Sequence, residues 1–203
     1  MKILKCISII LILSSCAAWR LEETNPTDKF PTNLSVEGKK PKTSISFKRF
    51  EVKNNSKLDN EGMAEERRKE VLALIETAYK ESKLFNIVDE DSPNKDMSIE
   101  VDITTHFSGG TGMKWLTALT LYLVPRKTVE EITVTTRFLD KKGELVGMVE
   151  KIDKAITWHQ LFMIFALPFS STPNTVVTET ILDLNKASIM DAFEDGYFTD
   201  INQ

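Results

Sequence analysis

At 203 residues, with 41% hydrophobic and 28% charged side chains, the chain can bury one sizeable core and is not disordered as a whole. A net charge of −4 argues against nucleic acid as the main partner, because phosphate binding needs a concentrated basic face. The two cysteines, Cys6 and Cys16, both fall at the start of the chain, which excludes a disulfide or a thiolate metal site from its body.

The chain opens on Lys2 and Lys5, followed by an apolar run over 7–13 broken only by Ser8. Such a run is too short to span a bilayer and reads as a processed signal peptide over 1–15. Its end, Leu13-Ser14-Ser15-Cys16, resembles the lipobox of bacterial lipoproteins. The resemblance implies cleavage between Ser15 and Cys16 and a diacylglyceryl group on the Cys16 thiol. Two or more acyl chains anchor stably, since each buried methylene contributes ~0.8 kcal/mol. The residues after the cysteine, Ala17 and Ala18, include no aspartate, which by the same resemblance favours the outer over the inner membrane. The alternative is an ordinary secretory signal in which Cys16 is incidental. Pro26, Pro31 and Pro41 among polar residues make 16–42 read as a flexible, lipid-anchored tether.

A single domain is expected over 43–197, with a tail over 198–203. Ile45 and Phe47 alternate, and Phe50 and Val52 continue in the opposite phase, which predicts a strand with a bulge. After a polar loop over 54–62, residues 63–83 predict a helix with Val71, Leu74, Ile75 and Ala78 on one face. The run over 84–88 suits a short buried strand or a helix exit. Residues 97–107 alternate apolar and polar and predict a half-buried strand. Two more strands, over 129–139 and 144–157, are joined at Asp140-Lys141-Lys142-Gly143, where the glycine suits a positive φ. A last helix is predicted from Pro173 to Phe193, with Thr172 as its N-cap. The fold class expected is α+β: a mainly antiparallel sheet with two helices packed on one face.

Two apolar runs interrupt this pattern. Residues 115–125 carry no charge, and 158–169 carry only a histidine, His159. An unbulged turn between Lys141 and Lys142 would set Pro125 opposite Trp158 and Trp115 opposite Pro168. Both runs then leave the same end of one hairpin, as an apolar extension or as paired short helices. Either they pack as core under the last helix, or they form an exposed tip that docks on a membrane or a protein partner. Trp115, Leu119, Tyr122, Leu123, Trp158, Phe162 and Phe165 are the contact candidates. Leu116 to Pro125 and the stretch from Thr157-Trp158 to Leu167-Pro168-Phe169 also resemble segments of a group of small bacterial envelope lipoproteins. That likeness implies an order of elements and no activity.

No catalytic constellation or metal site emerges, and no cofactor is expected. Ser108-Gly109-Gly110-Thr111-Gly112 lacks the Lys-Ser/Thr ending of a P-loop and reads as a bend. His106, Glu100 and Asp102 share the wet face of the 97–107 strand and read as surface residues. The expected function is a non-enzymatic binding or assembly module on the envelope. The alternatives are a carrier for an apolar ligand such as a lipid, with the runs lining its pocket, and a hydrolase of an envelope polymer.

Overall fold

Apolar alternation builds the longest strands of this computed structural model, which describes residues 16–21, 30–31, 39–54, 57–59, 65–109, 111–160 and 171–198. In β5 (Met97–Ser108), Met97, Ile99, Val101 and Ile103 are fully buried, with Ser98, Glu100, Asp102 and Thr104 between them on the outer face. β6 (Arg126–Asp140) repeats the pattern through Ile132, Val134 and Phe138. β2 (Lys42–Asn54) carries the expected bulge between Phe47 and Arg49. β7 (Leu145–His159) completes the long strands.

The fold is α+β, with seven strands in one mixed sheet and three helices among the described residues. Strand order is β1-β7-β6-β5-β2, where β1 is Cys16–Arg20, and β3 (Lys57–Asp59) and β4 (Asn86–Val88) flank the outer edge of β2. The sheet is mixed because β2 pairs in parallel with both β5 and β4. The crossover between β2 and β5 passes through α1 (Glu65–Ser82), which buries Val71, Ile75, Ala78 and Tyr79 against the sheet.

The helix α3 (Pro173–Glu194) starts where expected: Thr172 is extended, its hydroxyl accepts from the Thr175 N–H (3.2 Å), and Pro173 follows. α3 packs on β7, β6, β1 and α1, so nearly its whole circumference is covered. Two of its buried polar side chains donate within the helix, Asn185 Nδ2 to Ile181 O (2.8 Å) and Ser188 to Leu184 O (2.9 Å), while Asn185 Oδ1 is buried without a partner. Between α1 and α3, the Lys186 ammonium pairs with Glu81 (2.9 Å).

Three boundaries differ from expectation. The first residues of the expected tether form the edge strand β1, in antiparallel register with β7 from Cys16–His159 to Arg20–Ala155. Small side chains let β1 approach the α3 layer, where Ala18 packs with Ala155 and Val176. Arg20 then bridges both layers, its Nε donating to Asp153 on β7 (2.6 Å) and its Nη1 to Asp183 on α3. Burial opposes the Arg20 charge, but the hydrogen bonds to Asp183 and Asp153 outweigh it and hold the guanidinium's pKa above its usual value. Farther along the same stretch, Phe30 packs on the core. At the other end Phe198, expected in the tail, is buried edge-on to Phe85 (centroids 5.0 Å apart) and Phe138 (5.6 Å).

The third difference is the hairpin register. The turn holds Lys141, Lys142 and Gly143, with the Asp140 N–H donating to Glu144 O (2.9 Å) and Gly143 at φ +83°. A bulge follows, so that Phe138 faces Gly147 while Leu139 faces Leu145. At Gly147 a Cβ would lie 2.3 Å from the Tyr197 ring, so only glycine admits that ring here. Lys127, and not Pro125, therefore faces Trp158. The shift is even, so every side chain keeps its expected face.

Replacing Arg20 with methionine leaves Asp153, which has no exposed side-chain surface, without its guanidinium partner. We expect a loss of roughly 3–5 kcal/mol and a correspondingly lower melting temperature. Arg49→Met, in an exposed pair with Glu51, should change stability by less than about 0.5 kcal/mol. Equal melting temperatures for the two variants would refute the buried clamp.

Candidate docking surface at one end of the sheet

The C-terminal ends of β5 and β7 and the N-terminal ends of β6 and β1 meet at one end of the sheet. A single row runs across three strands there, Arg126 on β6, His159 on β7 and Cys16 on β1. The next row holds Lys127, Trp158 and Ala17. The Thr128 hydroxyl and His159 Nε2 lie 3.3 Å apart. Burial, and next the Arg126 charge, lower the His159 pKa, so its ring is neutral at pH 7. Burial also pushes the Glu130 carboxyl, four residue pairs inward, up to about 7.

Beyond this end stands α2 (Thr111–Leu119), the first of the two apolar runs. It is not core: Trp115 is 72% exposed, Leu119 79%, Leu121 64% and Leu123 54%. Leu116 is exposed as well, and Tyr122 is half-buried, while Thr117 is buried. Helix α2 closes on a Schellman-type end, with the Tyr122 N–H donating to Thr117 O (2.8 Å) and the Leu121 N–H to Ala118 O (3.1 Å). Both residues are left-handed, Leu121 at φ +50° and Tyr122 at +62°. Glycine normally takes such a position, and a branched apolar side chain there is strained by about 1 kcal/mol or more. The Thr120 hydroxyl fixes the loop, donating to Leu116 O (2.9 Å) and accepting from the Val124 N–H (3.2 Å).

Of the remaining sequence candidates, Trp158 is half-buried in the row beside Lys127, whereas Ser15, Phe162 and Phe165 lie outside the described residues. Glu100 and Asp102 are ion-paired rather than merely solvated: Arg137 donates to Asp102 (2.7 Å) and approaches Glu100 (3.8 Å). His106 lies on the same outer strand face. Among the described residues, no cluster of three or more His, Cys, Asp or Glu is placed to hold a metal, and no helix is long and apolar enough to cross a membrane. An open groove of about 310 Å³ lies between α1 and α3, lined by Val71, Leu74, Ile181 and polar neighbours. A second exposed apolar group, Leu145, Val146 and Met148, sits at the opposite, turn end of β7 among Lys141, Lys142, Glu144 and Glu150.

Sequence reasoning had no access to the row joining Cys16 to Arg126, because it read Cys16 as part of a tether. It also missed Arg20 and Glu130. A lone arginine five residues into a presumed linker, or a glutamate in a Thr-rich strand, carries no signal until strand pairing is known.

No family model and no curated protein matches the chain. Among solved structures it is similar to a neuraminyllactose-binding hemagglutinin homolog from Helicobacter pylori, at 9% identity over 85% of this chain and 91% of that one, with a TM-score of 0.38. It is also similar to PelC from Paraburkholderia phytofirmans, a dodecamer, at 9% identity over 84% and 96% of the two chains (TM-score 0.36). A minor lipoprotein from Acinetobacter baumannii matches at 12% identity over 75% and 90% (TM-score 0.29). Identities this low and superpositions this loose assign neither a family nor an activity to this chain.

The strain at the end of α2 is directly testable. Leu121→Gly should raise stability by roughly 0.5–1 kcal/mol, measured by urea denaturation, since glycine adopts the left-handed conformation freely and no buried contact is lost. A destabilised variant would mean that Leu121 packs as core.

Proposed function

We propose that the chain is a lipid-anchored bacterial envelope protein without enzymatic activity, and that it docks on a membrane surface through the α2 end of its sheet. Cleavage before Cys16 would leave the acylated cysteine as the first residue of β1. The anchor would then hang from the sheet itself, with no spacer, in the row that contains His159 and Arg126. That coincidence of the lipobox cysteine with the exposed apolar end carries the reading. The acyl chains and the side chains of Trp115, Leu119 and Leu123 would meet the same bilayer. Each leucine fully withdrawn from water adds roughly 1.5–3 kcal/mol to the hold of the acyl chains. Aromatic rings such as Trp115, Tyr122 and Trp158 suit the headgroup layer, where one side of the ring is apolar and the other wet. The absence of aspartate at Ala17 and Ala18 favours the outer membrane.

The carrier reading draws no support from the groove between α1 and α3, which is open. A protein partner with an apolar face remains the competing occupant of the tip.

Two measurements test the proposal. Metabolic labelling with a fatty acid should mark the chain and fail on Cys16→Ser; label retained on the serine variant would remove the anchor. Leu119→Asp should leave the melting temperature within the small range of surface changes, roughly 0.5 kcal/mol, while sharply reducing co-sedimentation with vesicles. A variant that binds vesicles as well as the parent chain would remove the docking role from α2.

A further inference from the structure

The docking end differs in charge from the rest of the molecule. The whole chain carries −4, yet no aspartate or glutamate occurs from Ile103 to Val129 or from Ala155 to Thr178. Those two segments supply the end of β5, all of α2, the start of β6, the end of β7 and the start of α3. Within them lie three cations, Lys114 on α2 and Arg126 and Lys127 at the mouth of β6. None of the three makes an ion pair among the described residues, whereas Arg137, Lys151 and Lys186 elsewhere on the sheet and helices are all paired.

Among the described residues, the acids next along β6 and at the start of α1 add little opposing charge. Glu130 is half neutralised at pH 7 by its burial, and Glu131 is paired with Lys154 (3.6 Å). At the start of α1, Glu65 and Glu66 are followed at once by Arg67, Arg68 and Lys69. The result is an exposed apolar helix and loop with cations on the helix and at the start of β6, and without acids in the same segments, on an acidic protein.

We propose that this end selects a bilayer bearing anionic headgroups, Lys114, Arg126 and Lys127 meeting the phosphates while Trp115, Leu119 and Leu123 enter the apolar layer. The inference rests on the membrane-docking reading above and names the lipid class it prefers. Three features favour a membrane over a protein as the occupant. Exposed apolar and cationic residues occur together at one end of the sheet, as a headgroup layer requires. Lys114 and Lys127 are exposed, on long side chains that suit a diffuse layer of phosphates better than a fixed carboxylate, while Arg126 is half-buried with its Nε out of water and without a partner. The lipobox cysteine shares a strand row with Arg126.

The test uses a chain beginning at residue 16 with Cys16→Ser, which contains every strand and helix described here and carries no acyl group to mask the effect. Co-sedimentation is measured on vesicles of phosphatidylcholine alone and on vesicles that also contain phosphatidylglycerol, at low and high salt. We expect at least about tenfold tighter binding to the anionic vesicles at low salt, lost on adding salt. The gain should also vanish in a Lys114→Gln, Arg126→Gln, Lys127→Gln variant with an unchanged melting temperature. Equal binding to the two vesicle types, abolished by Leu119→Asp, would overturn the lipid preference and leave the docking reading standing. An anionic preference that survives in the glutamine variant would overturn the assignment of these three cations. No binding to either vesicle would overturn the docking reading itself and turn attention to a protein surface.

Discussion

The guanidinium of Arg20 ties three elements together. It belongs to the short edge strand β1, and its two carboxylate partners, Asp153 and Asp183, belong to β7 and α3. Asp153 is fully buried, so the pair is strong only while it is complete; removing either member strands a charge away from water. Five residues of strand would not by themselves hold an edge position firmly. With Arg20 in place, the register from Cys16–His159 to Arg20–Ala155 is fixed, and so is the location of Cys16 relative to the apolar end. The proposed relation between anchor and docking surface depends on that one clamp.

The opposite end of β1 leads into a region built against the usual preferences of a soluble surface. Helix α2 presents Trp115, Leu119, Leu121 and Leu123 to solvent, and its closing turn holds Leu121 and Tyr122 in left-handed conformations. Exposed apolar residues scattered singly need no explanation, but a contiguous group held in place by backbone strain does. The hydroxyl of Thr120 and the backbone carbonyl of Thr117 hold the turn from within. The exposed apolar group at the other end of β7 has no such strain, lies at the opposite end of β7 from the row that holds Cys16, and has acids on both sides.

Much of this architecture is legible in the amino-acid sequence wherever periodicity is strong. The alternation through Met97, Ile99, Val101 and Ile103, the phase change between Phe47 and Phe50, and the Thr172-Pro173 helix start each correspond to an observed feature. What stayed hidden has physical causes. Alternation says which face a residue takes but not the direction of the neighbouring strand, so the parallel β2–β5 pairing could not be read. The hairpin register slipped because a three-residue turn and a bulge at Gly147 each add a residue that no local pattern announces. β1 was invisible since Cys-Ala-Ala-Trp-Arg has no alternation, and its stability comes from a long-range ion pair. As for the docking end, an uncharged run reads the same whether buried or exposed; only the packed structure separates the exposed Leu119 from the buried Thr117.

The most direct measurement of the central claim is the depth of Trp115. In the lipidated chain carrying Trp19→Phe and Trp158→Phe, Trp115 is the sole tryptophan, and it can be read in vesicles by fluorescence quenching. The account predicts strong quenching by bromine-bearing acyl chains and protection from aqueous acrylamide. Free quenching by acrylamide, with no effect of the brominated lipid, would show that the anchored protein holds its α2 end in water and would contradict the account.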